Sequence, residues 1–66
     1  MNMHTQTPRE YAQECVDTLD EKGLEEMGRW GTFMLIAARN FKCPEWIKWF
    51  KSFEYWLRVL EVDSGR

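Results

Sequence analysis

The chain lacks most of what chemistry requires. It has a single histidine, His4, and two cysteines, Cys15 and Cys43, which lie too far apart to form a C-x-x-C pair. No metal site is expected from that set, and the two thiols read as reduced cysteines of a cytoplasmic protein. A copper-binding amino terminus needs histidine in third place, and His4 is fourth in a polar tail. No glycine-rich phosphate loop follows a strand pattern, because Gly28 and Gly31 fall within an apolar helical run. The carboxylates of the first helix are numerous. On a solvated helix they are surface charge, since an acid/base pair needs a cleft to raise one of its pKa values. No cofactor, no catalytic residue and no enzymatic activity are expected.

Export and membrane signals are missing too. Residues 1–10 have no basic start followed by an apolar run, so they do not read as a signal peptide. No stretch approaches the ~18 apolar residues of a membrane span. Charge of one sign is not in excess, with a net of −2. It is divided unevenly, however. Residues 1–27 carry seven acids against Arg9 and Lys22, a net of −5. Residues 28–66 carry seven bases against four acids, a net of +3.

Aromatics are what the chain has. Six of its ten lie within eleven positions: Trp46, Trp49, Phe50, Phe53, Tyr55 and Trp56. A domain of 66 residues hides only about 60% of its unfolded surface, and its core supplies roughly 3–5 kcal/mol net. Large side chains are one way to reach that figure.

The spacing predicts an all-α, compact three-helix domain, with helices at about 8–22, 24–41 and 44–62. Residues 1–6 and 63–66 are expected as tails around a single domain, 7–62. Thr7-Pro8-Arg9-Glu10 fits a capping box with proline in the first helical position. Gly23 suits a left-handed stop for the first helix. Tyr11, Ala12, Cys15, Val16 and Leu19 form a narrow apolar stripe. The second helix has a far wider arc, about 220° at 100° per residue. One side is Leu24, Met27, Gly31, Met34, Leu35 and Ala38; the adjacent side is Trp30, Phe33, Ala37 and Phe41. That width predicts that the second helix is central, touching at least two others. Gly28 and Gly31 are expected to admit a large side chain or a close backbone, with a kink there as the alternative.

Pro44 opens the third helix. Trp46, Trp49, Phe50, Phe53, Trp56, Leu57 and Leu60 follow steps of three and four within about 120°. With Leu35 and Ala38 they make the expected core. On the other side Tyr55, Val59 and Val62 lie beside Lys48, Lys51 and Arg58, and these six are the expected partner-binding face. An aromatic and basic rim of this kind suits a protein interface. The reading is a small non-enzymatic protein–protein interaction module, a regulator, inhibitor or adaptor of the sort phages also encode, self-associating as a homodimer. One alternative is a nucleic-acid-binding regulator using Arg39, Lys42, Lys48 and Lys51. The negative total charge and the acidic first helix oppose it. A second alternative is membrane-surface association through the Trp-rich third helix. There Lys48, Lys51 and Arg58 are offset by Glu45, Glu54 and Glu61, so an anionic bilayer would gain little.

Overall fold

The computed structural model describes residues 6–65; the expectations for His4 and the rest of residues 1–5, and for Arg66, lie outside them. The described residues form an all-α three-helix domain: α1 (Pro8–Thr18), α2 (Glu21–Asn40) and α3 (Pro44–Asp63).

α1 starts on the capping box. The amide of Glu10 donates to the Thr7 hydroxyl at 3.1 Å, and the Thr7 amide donates to the Glu10 carboxylate at 2.9 Å. Two donors that the helix cannot satisfy are thereby paired. The helix ends earlier than its periodicity suggests. Leu19 is extended (φ −102°, ψ 149°) and Asp20 N-caps α2, accepting from the Gly23 amide at 2.8 Å. Gly23 is therefore not a stop for α1 but lies in the first turn of α2. A Cβ there would sit 3.2 Å from both the Asp20 carboxylate and the Leu19 Cβ. The aspartate cap outcompetes continuation of the first helix, and glycine leaves room for it.

α2 runs unbroken through Gly28 and Gly31 and ends on a paired set of turns. Lys42 takes φ +55°, its amide donates to Arg39 O at 3.1 Å, and the Cys43 amide donates to Ala38 O at 3.0 Å. This six-to-one and five-to-two pattern is a Schellman stop, here with lysine where glycine is usual. Pro44 then opens α3.

Packing corrects one expectation. α3 is the central helix: it lies against both α1 and α2, while α1 and α2 barely touch. The wide arc of α2 is not matched by extra neighbours and is left partly uncovered. The core joins Ala12, Cys15 and Val16 of α1, Leu24 of α2, and Phe53, Leu57 and Leu60 of α3. Leu35, Ala38 and Phe50 are buried as well. Phe53 is the hub, fully buried, with Tyr11, Trp30 and Trp49 ring centroids 5.3, 6.1 and 5.8 Å away. Gly31 meets it closely: a Cβ on Gly31 would stand 3.2 Å from two Phe53 ring carbons. Glycine is thus placed where an aromatic ring presses on the α2 backbone.

Candidate interaction surfaces

The expected core residues of α3 divide by position. Phe50, Phe53, Leu57 and Leu60 are buried, Trp49 and Trp56 are half-buried, and Trp46 is 47% exposed. A stripe belongs to one helix, but its cover belongs to the neighbours. α1 has 11 residues against 20 in α3, so at 1.5 Å per residue it spans only about half the length. Trp46 stands in the first turn of α3, 6.0 Å from the Phe50 ring. Trp49 Nε1 donates to Gln6 O at 3.4 Å, tying the segment before α1 to α3. Trp56 is covered by the Arg9 guanidinium, 4.9 Å from its ring centroid, and meets the Tyr55 ring in a T-shaped contact at 5.1 Å. α3 also extends past the expected boundary at residue 62, with Gly65 (φ +80°) closing its end.

The expected partner-binding residues share one outward face of α3. Lys48, Lys51, Tyr55, Arg58 and Val62 are all exposed and recur at three- and four-residue steps, with half-buried Val59 at the edge. Tyr55 is 60% and Val62 71% exposed. None of the three bases makes an ion pair among the described residues. This face therefore sets three bases that are free of direct ion pairs around two apolar groups, with Glu45, Glu54 and Glu61 on its flanks.

A second surface lies on α2. Phe33 is 68%, Ile36 52% and Phe41 79% exposed. Phe33 and Ile36 form one wall of an open groove of about 560 Å³, with Leu57, Arg58 and Glu61 of α3 opposite. Its floor is tied together by Thr32, whose hydroxyl donates to the Glu54 carboxylate at 2.7 Å. The wide arc of the second helix was the sequence signal for this surface. Periodicity alone does not separate Phe33, which is uncovered, from Leu35, which is buried.

The four bases of the nucleic-acid alternative, Arg39, Lys42, Lys48 and Lys51, are exposed around the α2–α3 connection. The thiols are free: Cys15 is buried among the α1 core residues and Cys43 half-buried at the N-cap of α3. Burial pushes the Cys15 thiol up from its ordinary 9.0, aided by the Glu14 carboxylate. Burial likewise raises Tyr11, with Cys15 and Glu14 adding to it. A thiol shifted this way is a packing group and a poor nucleophile. Among the described residues no three His, Cys, Asp or Glu side chains converge as metal ligands, and no helix is long and apolar enough to cross a membrane. Compared with known proteins, the chain matches no protein family, no curated protein and no solved structure.

Proposed function

We propose that the chain is a small non-enzymatic protein–protein interaction module. It acts as a regulator, inhibitor or adaptor by presenting the outer face of α3 to another protein, and it works as a homodimer. One observation carries the reading. α3 holds the core with one face and offers Tyr55 and Val62 on the other, ringed by Lys48, Lys51 and Arg58. An apolar centre with a basic rim favours a partner whose own apolar contact is edged by carboxylates. The chemistry of the partner follows from that charge: acidic and apolar, not nucleic acid, because the chain as a whole is negative.

The test is capture from the native host with wild-type chain and with the Lys48→Glu, Lys51→Glu double variant. Each captured protein is then purified and titrated against both chains. The expected result is a partner that binds wild type and loses about tenfold or more on charge reversal, mostly through its association rate. A partner bound equally by both chains refutes the assignment of the α3 face. Sub-micromolar binding to duplex or single-stranded probes at about 150 mM salt refutes the choice of protein over nucleic acid.

A further inference from the structure

We propose that the α2–α3 end of the bundle docks end-on to a bilayer carrying anionic lipid, with Phe41 and Trp46 entering the interface and Arg39, Lys42, Lys48 and Lys51 meeting the headgroups around them. Charge is graded along the long axis of the molecule, which measures 35 Å. α2 ends at Asn40 and α3 begins at Pro44, so these two termini share one end. Residues 39–51 hold Arg39, Lys42, Lys48 and Lys51 against Glu45 alone, a net of +3. At the far end, residues 17–29 and 58–63 hold seven carboxylates against Lys22, Arg29 and Arg58, a net of −4. The four bases of the positive end are exposed, and none forms an ion pair among the described residues. α1 brings no acid close to it. Gln6 is level with Trp49 and Tyr11 with Phe53, so Glu10 and Glu14 stand further down the bundle.

The apolar groups at this end are of the kind that a bilayer interface takes up. Phe41 is the most exposed large apolar side chain among the described residues, and Trp46 stands in the first turn of α3. The backbone fixes Phe41 at the reversal of the chain: its amide donates to Ala37 O at 3.0 Å, and left-handed Lys42 follows. Side chains lean toward the N-terminus of their own helix, so Trp46, Lys48 and Lys51 tilt toward the tip. Aromatic rings settle at headgroup level, and each base near an anionic surface adds to the attraction. Laid flat, α3 would bring Glu54 and Glu61 to the lipid as well. End-on, they are about 15 Å or more along the helix from it. The acidic end is about 20–30 Å away, beyond the ~10 Å over which charge is felt at about 0.1 M salt. A negative total is therefore no bar to a plane that touches one end. A nucleic-acid strand fits less well, because the open groove beside Phe33 and Ile36 is lined within residues 25–36 and 54–61 and stops short of the tip. Tyr55, Arg58 and Val62 stay clear of the lipid, so the outer face of α3 can hold a protein at the same time.

Flotation of the full chain with vesicles at about 0.1 M salt tests the docking. One set is phosphatidylcholine alone, and the other contains about 30% phosphatidylserine. The chains are wild type, Phe41→Ser, Arg39→Gln with Lys42→Asn, Trp46→Phe and Val62→Ser. Asparagine is chosen at 42 because it tolerates a left-handed backbone. Circular dichroism checks that each is folded, as expected for substitutions at exposed positions. Wild type should float with the anionic vesicles at about 1 mM lipid, stay behind with phosphatidylcholine, and be released at about 0.5 M salt. Phe41→Ser and the double variant should each bind about tenfold more weakly. Val62→Ser, an exposed apolar position at the far end, should bind as wild type does. Lipids brominated near the headgroup should quench wild-type fluorescence and quench Trp46→Phe far less, because Trp30, Trp49 and Trp56 are half-buried deeper in the bundle.

A wild-type chain left behind by both kinds of vesicle, or floated equally by both, overturns the proposal. So does a loss in Val62→Ser as large as that in Phe41→Ser, which would lay α3 flat on the membrane. Duplex or single-stranded probes bound more tightly than the anionic vesicles, and released by the double variant, would give this end to nucleic acid and overturn it as well.

Discussion

Gly28 and Gly31 stand three residues apart in one helix, yet the fold assigns opposite signs to the same substitution. Each glycine in a helix interior costs about 1 kcal/mol relative to alanine. At Gly28 a Cβ meets nothing within 4 Å, so Gly28→Ala should recover most of that, about 0.8 kcal/mol. At Gly31 a Cβ stands 3.2 Å from Cδ2 and Cε2 of Phe53, closer than ordinary carbon contact. Phe53 has little room to retreat, being fully buried with Tyr11, Trp30 and Trp49 around it. Overpacking of a fixed core costs roughly 1–3 kcal/mol. Against a propensity gain of about 1 kcal/mol, Gly31→Ala should be destabilising by up to about 2 kcal/mol. For a domain of this size 1 kcal/mol moves the thermal midpoint by about 4–8 °C. Melting followed by circular dichroism in dilute solution, where association is minimal, should show Gly28→Ala above wild type and Gly31→Ala below it. Equal stabilisation by both substitutions refutes the close approach of Phe53 to α2, and with it the register of α2 on α3.

Three further outcomes follow from local geometry. Lys42→Gly removes a left-handed lysine from the Schellman stop and should stabilise by about 0.5–1 kcal/mol, seen as a higher urea midpoint with unchanged slope. Trp46→Ala should cost about 1 kcal/mol or less because Trp46 is 47% exposed, well under the loss at Trp49, in denaturant titrations of both. The raised Cys15 pKa has a definite sign: the unfolded thiol loses its proton first, so the stabilisation is full above neither value but below pH 9.0, its ordinary value, and the protein loses stability as pH rises from there toward the folded value. Stability measured from pH 8 to pH 10 should fall more steeply for wild type than for Cys15→Ala, and parallel curves refute the desolvated thiol.

What was legible in the sequence was local. The Thr7–Glu10 box, Pro8 and Pro44 at helix starts, and the seven-residue stripe of α3 each depend on neighbours within a turn or two, so spacing reveals them. The use of Gly31 was legible as well, because a glycine that weakens its own helix opposite a run of large rings points to close contact with one of them. Gly23 was misread because two local signals overlap: a glycine after an apolar stripe resembles a stop, but Asp20 three residues earlier makes it the first turn of the next helix. The centre of the fold was not legible. Arc width measures how much apolar surface a helix has, not how much its neighbours cover. α2 has the wider arc, yet α3 holds the middle because α1 settles against it and leaves Phe33, Ile36 and Phe41 bare. Trp46 is the same lesson at the end of a helix. The outward face of α3 was legible as the side opposite the stripe, whereas the α2 surface required the packing.

The central claim is that α3 carries the fold on one face and recognition on the other. Circular dichroism of Trp49→Ala and Tyr55→Asp, measured beside partner binding, tests it most directly. Trp49 stacks on Phe53 at 5.8 Å and touches Tyr11 and Phe50, so its removal should cost roughly 2–4 kcal/mol. That takes most of the stability expected of so small a domain, so the thermal midpoint should fall far below that of wild type, with part of the helical signal already lost before heating. Tyr55→Asp, on the outward face, should keep wild-type helicity and lose partner binding, because an unpaired carboxylate must be desolvated in the contact. A folded Trp49→Ala that no longer binds, with a Tyr55→Asp that still does, would contradict the account and make the aromatic stripe the docking surface.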